Sequence, residues 1–246
     1  VTFNHHHAIC VQAPVLLDND IQVTFTPGFY EQVHCQRNAL MAQFLASKEK
    51  PDAIVYVDSD QGFDGEDLLR LVCADVPVAG VNTPKRNYYF NNWLNGTYRD
   101  GREVKDAMLC GTVLPSIPCE TFRGLRRCDY MGTGMICIQR EVPEAIIAKG
   151  LARKIHKGSG IASQFMDHAY WIFHNMLSDA SHPWGEGVEI REDFRFCELA
   201  REAGFKLWCD LSAEPSHAGW HVFKGRARLI GEVNANQLKL QQLESE

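Results

Sequence analysis

The sequence predicts a single α/β domain with a Rossmann-like, mainly parallel central sheet flanked by helices. Short apolar, β-branched runs alternate with helical patterns through most of the chain, the signature of strand–helix–strand units with right-handed crossovers. At 246 residues, 45% hydrophobic and 23% charged, the chain has enough apolar surface for one large core. One apolar strand, Ala53 to Val57, runs directly into Asp58-Ser59-Asp60, which delivers two carboxylates to a strand end.

Taken in order, Ala8 to Gln12 reads as a first buried strand stopped at Ala13-Pro14. Ile21 to Phe25 alternates and is β-branched, predicting a second strand closed by Pro27-Gly28. Val33, Leu40, Met41, Phe44 and Leu45 predict a helix over 31–47, with Arg37 and Asn38 inside it. After the central strand, Asp64 is a natural N-cap for a helix over 65–73. Val76 to Val81 is the next strand and ends in Asn82-Thr83-Pro84-Lys85-Arg86. Residues 87–106, rich in Tyr, Phe, Trp, Asn and Gly, predict a small hairpin excursion. Cys128 to Ile138 reads as one strand with glycines at 132 and 134, and 142–149 as a short helix. The aromatic stretch 165–177 fits helix or sheet. Glu192-Asp193 opens an amphipathic helix ended by Gly204, and Phe205 to Asp210 is a further strand before His217. The organisation expected is one domain over 1–224 and a helical tail over 225–246.

The formal net charge of −6 argues against a surface made for nonspecific nucleic-acid binding. No apolar run approaches the roughly 20 residues of a membrane span, and there is no basic-then-apolar start, so a cytoplasmic protein is expected. Nine cysteines without a C-x-x-C pair point to reduced thiols rather than a zinc framework. His5-His6-His7 would alternate sides on a strand and are solvated in a loop, so they do not make a metal site by themselves. A bare D-x-D is also an ordinary solvated turn, and acids at a helix start are often caps. If 58–60 is extended, however, Asp58 and Asp60 point the same way and can approach one cation and its diphosphate, with Ser59 turned aside.

Five segments in order, C-Q-R-N-A-L (35–40), V-D-S-D-Q-G-F (57–63), P-V-A-G-V-N-T-P-K-R (77–86), M-G-T-G-M-I-C-I (131–138) and the block from Glu192 to Asp210, closing with His217, resemble the glycosyltransferase A fold. More narrowly, they resemble compact glycosyltransferases of phages and large DNA viruses. The resemblance implies transfer of a sugar from a nucleotide-diphosphate sugar, UDP-sugar foremost, to an acceptor hydroxyl with inversion, in the host cytoplasm if the source is viral. Carried over by position, it implies Mn²⁺ or Mg²⁺ on Asp58, Asp60 and His217. It also implies nucleotide contacts from Ala13, Pro14, Arg37, Asn38, Lys85 and Asp58, with Asp193 as base and Glu192 supporting the acceptor. Hard carboxylate oxygens with one imidazole suit such a cation. The acceptor class, whether a hydroxymethylated DNA base, a glycan or a protein side chain, stays open.

A sugar-nucleotide pyrophosphorylase or an NAD-dependent dehydrogenase would carry a Gly-rich loop after the first strand, where this chain has A-P-V-L-L-D-N-D. A noncatalytic nucleotide- or carbohydrate-binding module is the remaining alternative.

Overall fold

The computed structural model describes residues 14–19, 21, 22, 24, 26, 32–88, 109–111, 113–156, 161–218 and 222–224. His5 to His7, the strand expected over 8–12, Ala13, most of the aromatic excursion and the 225–246 tail lie outside the described residues. Pro14 opens a short helix, α1 (Pro14–Asp18), as suits a residue with no N–H to satisfy. Of the second strand expected, 21–25, the described residues Ile21, Gln22 and Thr24 carry no regular structure, and Val23 and Phe25 lie outside the described residues.

The first long helix, α2 (Val33–Ala46), buries Arg37, Asn38, Met41, Ala42 and Phe44, so its inward face is polar at one end and apolar at the other. Arg140 holds its far end by donating from Nη2 to the Phe44 carbonyl at 2.8 Å, satisfying an acceptor that a helix terminus leaves open. β1 (Ala53–Val57) follows, then β2 (Gln61–Gly62) and α3 (Gly65–Val72). Asp64 caps α3 as expected, accepting from Glu66 N–H while Asp67 closes the reciprocal capping box. β3 (Val78–Val81) is buried throughout.

β4 (Pro84–Tyr88) and β5 (Leu109–Gly111) pair antiparallel and flank the aromatic segment, as the base of a hairpin excursion should. β6 (Leu114–Pro115), β7 (Thr121–Phe122), β8 (Leu125–Tyr130) and β9 (Met135–Gln139) come next, then α4 (Glu141–Ala148). A 3₁₀ turn (Ser163–His168) and the two-residue strands β10 (Met176–Leu177) and β11 (Glu189–Ile190) lead to α5 (Glu192–Glu202). The aromatic stretch 165–177 is therefore mostly irregular. Gly204 stops α5 with φ of +101°, and β12 (Leu207–Asp210), β13 (Ser216–Ala218) and β14 (Val222–Lys224) complete the described chain.

The fold is mixed α/β with a seven-stranded central sheet in the order β1-β9-β3-β12-β8-β6, to which β7 adds beside β8. The expectation of a mainly parallel sheet is not met among the described residues. Only β3 and β12 pair parallel, and the other neighbours run antiparallel. The physical reason is β9, which inserts between β1 and β3 and hydrogen-bonds to both. β1, β3 and β12 nonetheless point the same way, so their carboxyl ends share one edge. There Asp58, Asn82 and Asp210 sit, with the start of β9.

The span expected as one strand over 128–138 is two, because Met131 to Gly134 must return from the far end of β8 to the near end of β9. It crosses the sheet over Gly80. A Cβ on Gly80 would overlap the Met131 sulfur and stand 3.3 Å from the Met135 carbonyl oxygen. Met131 is wholly buried in the core formed with Met41, Tyr56, Ile136, Phe173 and Phe196. Gly80→Ala should therefore destabilise the fold by about 1–3 kcal/mol, the usual cost of overpacking. Urea unfolding of the variant beside the wild type measures this, and equal midpoints would remove the crossing as a packing constraint.

Candidate functional site

The site grows from the turn after β1. Asp58 N–H donates to the Gly134 carbonyl at 2.8 Å, and Gln61 N–H closes the turn on the Asp58 carbonyl at 2.9 Å. Residues 58–60 are thus a turn rather than the extended segment expected, and the two aspartates reach different partners. Ser59 is exposed.

Asp58 is held by Arg37, whose Nη2 donates to both carboxylate oxygens at 2.9 and 3.2 Å. The same guanidinium gives Nη1 to Glu192 Oε1 at 3.0 Å and reaches the Thr133 carbonyl at 3.4 Å. Arg37 is only 4% exposed, so its charge depends on these acceptors rather than on water. One buried side chain therefore joins the D-x-D turn to the start of α5, two motifs separated by more than half the chain.

Asn38 holds the position of that arginine. Its amide donates to the His34 and Phe173 carbonyls at 2.9 and 2.6 Å and accepts from the Ile172 and Phe173 N–H groups, both at 3.0 Å. Those bonds fill its hydrogen-bonding positions, so the nucleotide contact expected of Asn38 has no group left to make it. What it does is pin Phe173, which stacks on Phe196 at 5.0 Å, meets Tyr56 edge-on at 5.5 Å and lies under Arg37 at 5.9 Å. The Tyr56 hydroxyl donates to the Arg37 carbonyl at 2.9 Å, fixing the helix backbone as well.

Asp60 lies at the other side of the turn. β13 pairs with β2 in a register that sets His217 opposite Gln61, and Ala218 N–H donates to the Asp60 carbonyl at 2.7 Å. His217 Nε2 is consequently 3.2 Å from Asp60 Oδ2, while Nδ1 donates to the Pro84 carbonyl at 2.7 Å. A carbonyl only accepts, so Nδ1 carries a hydrogen and Nε2 faces the carboxylate. Burial alone would push the imidazole down, but the Asp60 carboxylate and the Pro84 carbonyl outweigh it and hold His217 above its ordinary value. Burial likewise pushes Asp60 up, and His217 with Arg86 overcomes this and holds the carboxyl low.

These residues fit a divalent cation in part. A carboxylate oxygen and an imidazole nitrogen are suitable ligands, and a cation held by both would replace the 3.2 Å bond that Asp60 and His217 now share. The Nδ1 bond to a backbone carbonyl is the outer support that metal-binding histidines carry. Asp58 is turned to Arg37, and among the described residues no three His, Cys, Asp or Glu side chains stand close enough to hold a metal as they are.

The remaining positions divide. Asp193, beside Glu192 on α5, accepts from Phe194 N–H at 2.8 Å. Burial, then the Glu192 charge, pushes its carboxyl above the usual aspartate range, although Phe194 N–H and the Arg37 charge pull it down. Lys85, expected to contact the nucleotide, is exposed, and its neighbour Arg86 forms an ion pair with Asp60, Nη1 to Oδ2 at 3.1 Å. Pro14 opens α1, and Ala13 lies outside the described residues. Sequence reasoning missed Arg86 and also Asn175, whose Oδ1 accepts from Glu192 N–H at 3.0 Å and caps α5 from 17 residues upstream. Arg191, the local cap position, gives no side-chain bond, an absence that hinted at a distant cap. Seven described cysteines are free thiols, and burial pushes Cys137 up to about 12, which makes it inert.

No protein-family model matches the chain, and no curated protein does. Among solved structures it is similar to the crystal structure of A197 from STIV, at 16% identity over 87% of this chain and 88% of that one, with a TM-score of 0.38.

Arg37→Gln leaves Asp58 and Glu192 facing each other without their shared cation. The loss should be roughly 3 kcal/mol, at the low end for breaking a buried ion pair because the Asp58 side chain keeps 38% exposure. Denaturant unfolding measures it, and a loss within 0.5 kcal/mol, roughly that of an exposed pair, would show that Arg37 does not hold the two motifs together.

Proposed function

We propose that the protein is a metal-dependent glycosyltransferase that moves a sugar from a nucleotide-diphosphate sugar, most simply a UDP-sugar, to an acceptor hydroxyl with inversion. The observation that carries this reading is that Arg37 ties Asp58 to Glu192 while His217 meets Asp60 on the same turn, contacts between segments distant in sequence. The carboxyl ends of β1, β3 and β12 share the edge at which Asp58 and Asp60 sit, which supports a ligand site there.

Asp60 and His217 would hold the cation, and Asp58, which Arg37 ties to Glu192, would stand beside it on the same turn. A divalent cation held there supplies Lewis-acid neutralisation of the departing diphosphate. The acceptor oxygen forms a bond to the anomeric carbon as that carbon's bond to the diphosphate oxygen breaks. The acceptor proton passes to the Asp193 carboxylate, and the nucleoside diphosphate leaves with the bonding electrons. A raised carboxyl pKa suits this role, since a stronger base takes the proton further in the transition state. Glu192, fixed by Arg37 and capped by Asn175, orients the acceptor beside it.

Screening nucleotide sugars for Mn²⁺-dependent release of nucleoside diphosphate identifies the donor, and release from none of them sinks the proposal. With the donor in hand, Asp193→Asn should reduce transfer by about 10²–10⁴-fold while nucleoside diphosphate binding is retained. The wild-type rate should fall as pH drops through the Asp193 pKa, above the ordinary aspartate value, because protonation removes the base. The asparagine variant should lose that acid limb. Full transfer by the variant would take the base role from Asp193.

A further inference from the structure

Asp60 Oδ2 faces two cationic side chains, His217 Nε2 at 3.2 Å and Arg86 Nη1 at 3.1 Å. They differ in freedom. His217 is tied on its other side to the Pro84 carbonyl and is largely buried, whereas the Arg86 side chain is 54% exposed and sits on β4, two residues beyond that carbonyl. Arg37, the other arginine on the D-x-D turn, is buried in four bonds to Asp58, Glu192 and Thr133 and has no comparable room to move.

A divalent cation on Asp60 and His217 needs the same carboxylate that Arg86 occupies. A doubly charged ion and a guanidinium crowded against one carboxylate repel each other, so Arg86 opposes binding of the bare cation. A diphosphate arriving with the cation reverses this, because it offers the displaced guanidinium oxygen acceptors that Arg recognises with two N–H groups at once.

We propose that Arg86 is an exchangeable counter-ion that holds Asp60 before the ligands arrive and then moves to the diphosphate, making cation and nucleoside diphosphate bind as a coupled pair. This rests on the reading of the site as one for a metal-bound nucleoside diphosphate. Bare cation binds weakly because it must displace Arg86. The cation–diphosphate pair binds well because Arg86 regains a partner, which is a coupling free energy between two ligands.

The test measures Mn²⁺ binding by electron paramagnetic resonance, with and without UDP, on the full chain. Wild type should take up Mn²⁺ more tightly in the presence of UDP. Arg86→Gln, which keeps polarity and most of the length but no charge, should bind Mn²⁺ alone about 2- to 5-fold more tightly, the range for releasing an exposed ion pair. Its enhancement by UDP should shrink by about tenfold, the loss of a charge-assisted phosphate contact. Arg86→Lys should recover part of the enhancement, and Lys48→Gln, which removes an exposed charge beyond the far end of α2, should resemble wild type. An Arg86→Gln enhancement equal to wild type, or an equal loss in Lys48→Gln, overturns the assignment to Arg86 while leaving the site itself standing. Wild-type protein that takes up neither Mn²⁺ nor UDP overturns the coupling and the glycosyltransferase reading together.

Discussion

A guanidinium buried to 4% exposure cannot be left without anions, and this requirement organises the functional edge of the molecule. Arg37 meets it with Asp58 from the end of β1, Glu192 from the start of α5 and the carbonyl of Thr133 ahead of β9. Each partner is thereby placed relative to the others. Removing the arginine would leave two carboxylates without their shared cation, so the three segments are held as a unit. Tyr56, Asn38 and Phe173 fix the arginine in turn, through its backbone, the neighbouring loop and the ring beneath it.

The same edge shows how sheet direction can survive a change of neighbours. β1, β3 and β12 run the same way even though antiparallel β9 stands between the first two. Their ends still converge, bringing the D-x-D turn beside buried Asn82 and Asp210. Asp210 has its own cation, Arg70, at 2.9 Å and an N–H bond from Ser212 at 2.7 Å, which makes it a support of the edge. The crossing chain from Met131 to Gly134 then closes the edge from above. Gly80 permits that crossing by carrying no side chain beneath Met131.

Local order was legible where local physics decides it. The Asp64 cap and the apolar face of α3, the amphipathic run of α5 stopped by Gly204, and the charge-free strand before Asp58 each announce themselves within a few residues. The motifs themselves were also visible, because D-x-D after an apolar strand, E-D before a helix and a late His are short patterns. Arg37 and Asn38 were less legible. A charged residue beside a polar one in a helix has the appearance of a solvated face, and their burial follows only from what α2 packs against. Lys85 and Arg86 are chemically close in sequence, and the path of β4 decides which of them meets Asp60.

By itself the sequence determined the class of the domain, the positions of its main helices and core strands, and the residue types that gather into a candidate cation site. Those follow from periodicity, capping and side-chain chemistry, which act over a few residues. Only the tertiary structure decided that β9 pairs between β1 and β3, and that 58–60 is a turn with its two aspartates drawn to different arginines. It also decided that the segment 165–177 wraps irregularly under Arg37, and that His217 meets Asp60 through the β13–β2 register. These are contacts across tens to hundreds of residues. Their choice depends on which buried charge or donor is left needing a partner once the chain has folded, and no local pattern records that need.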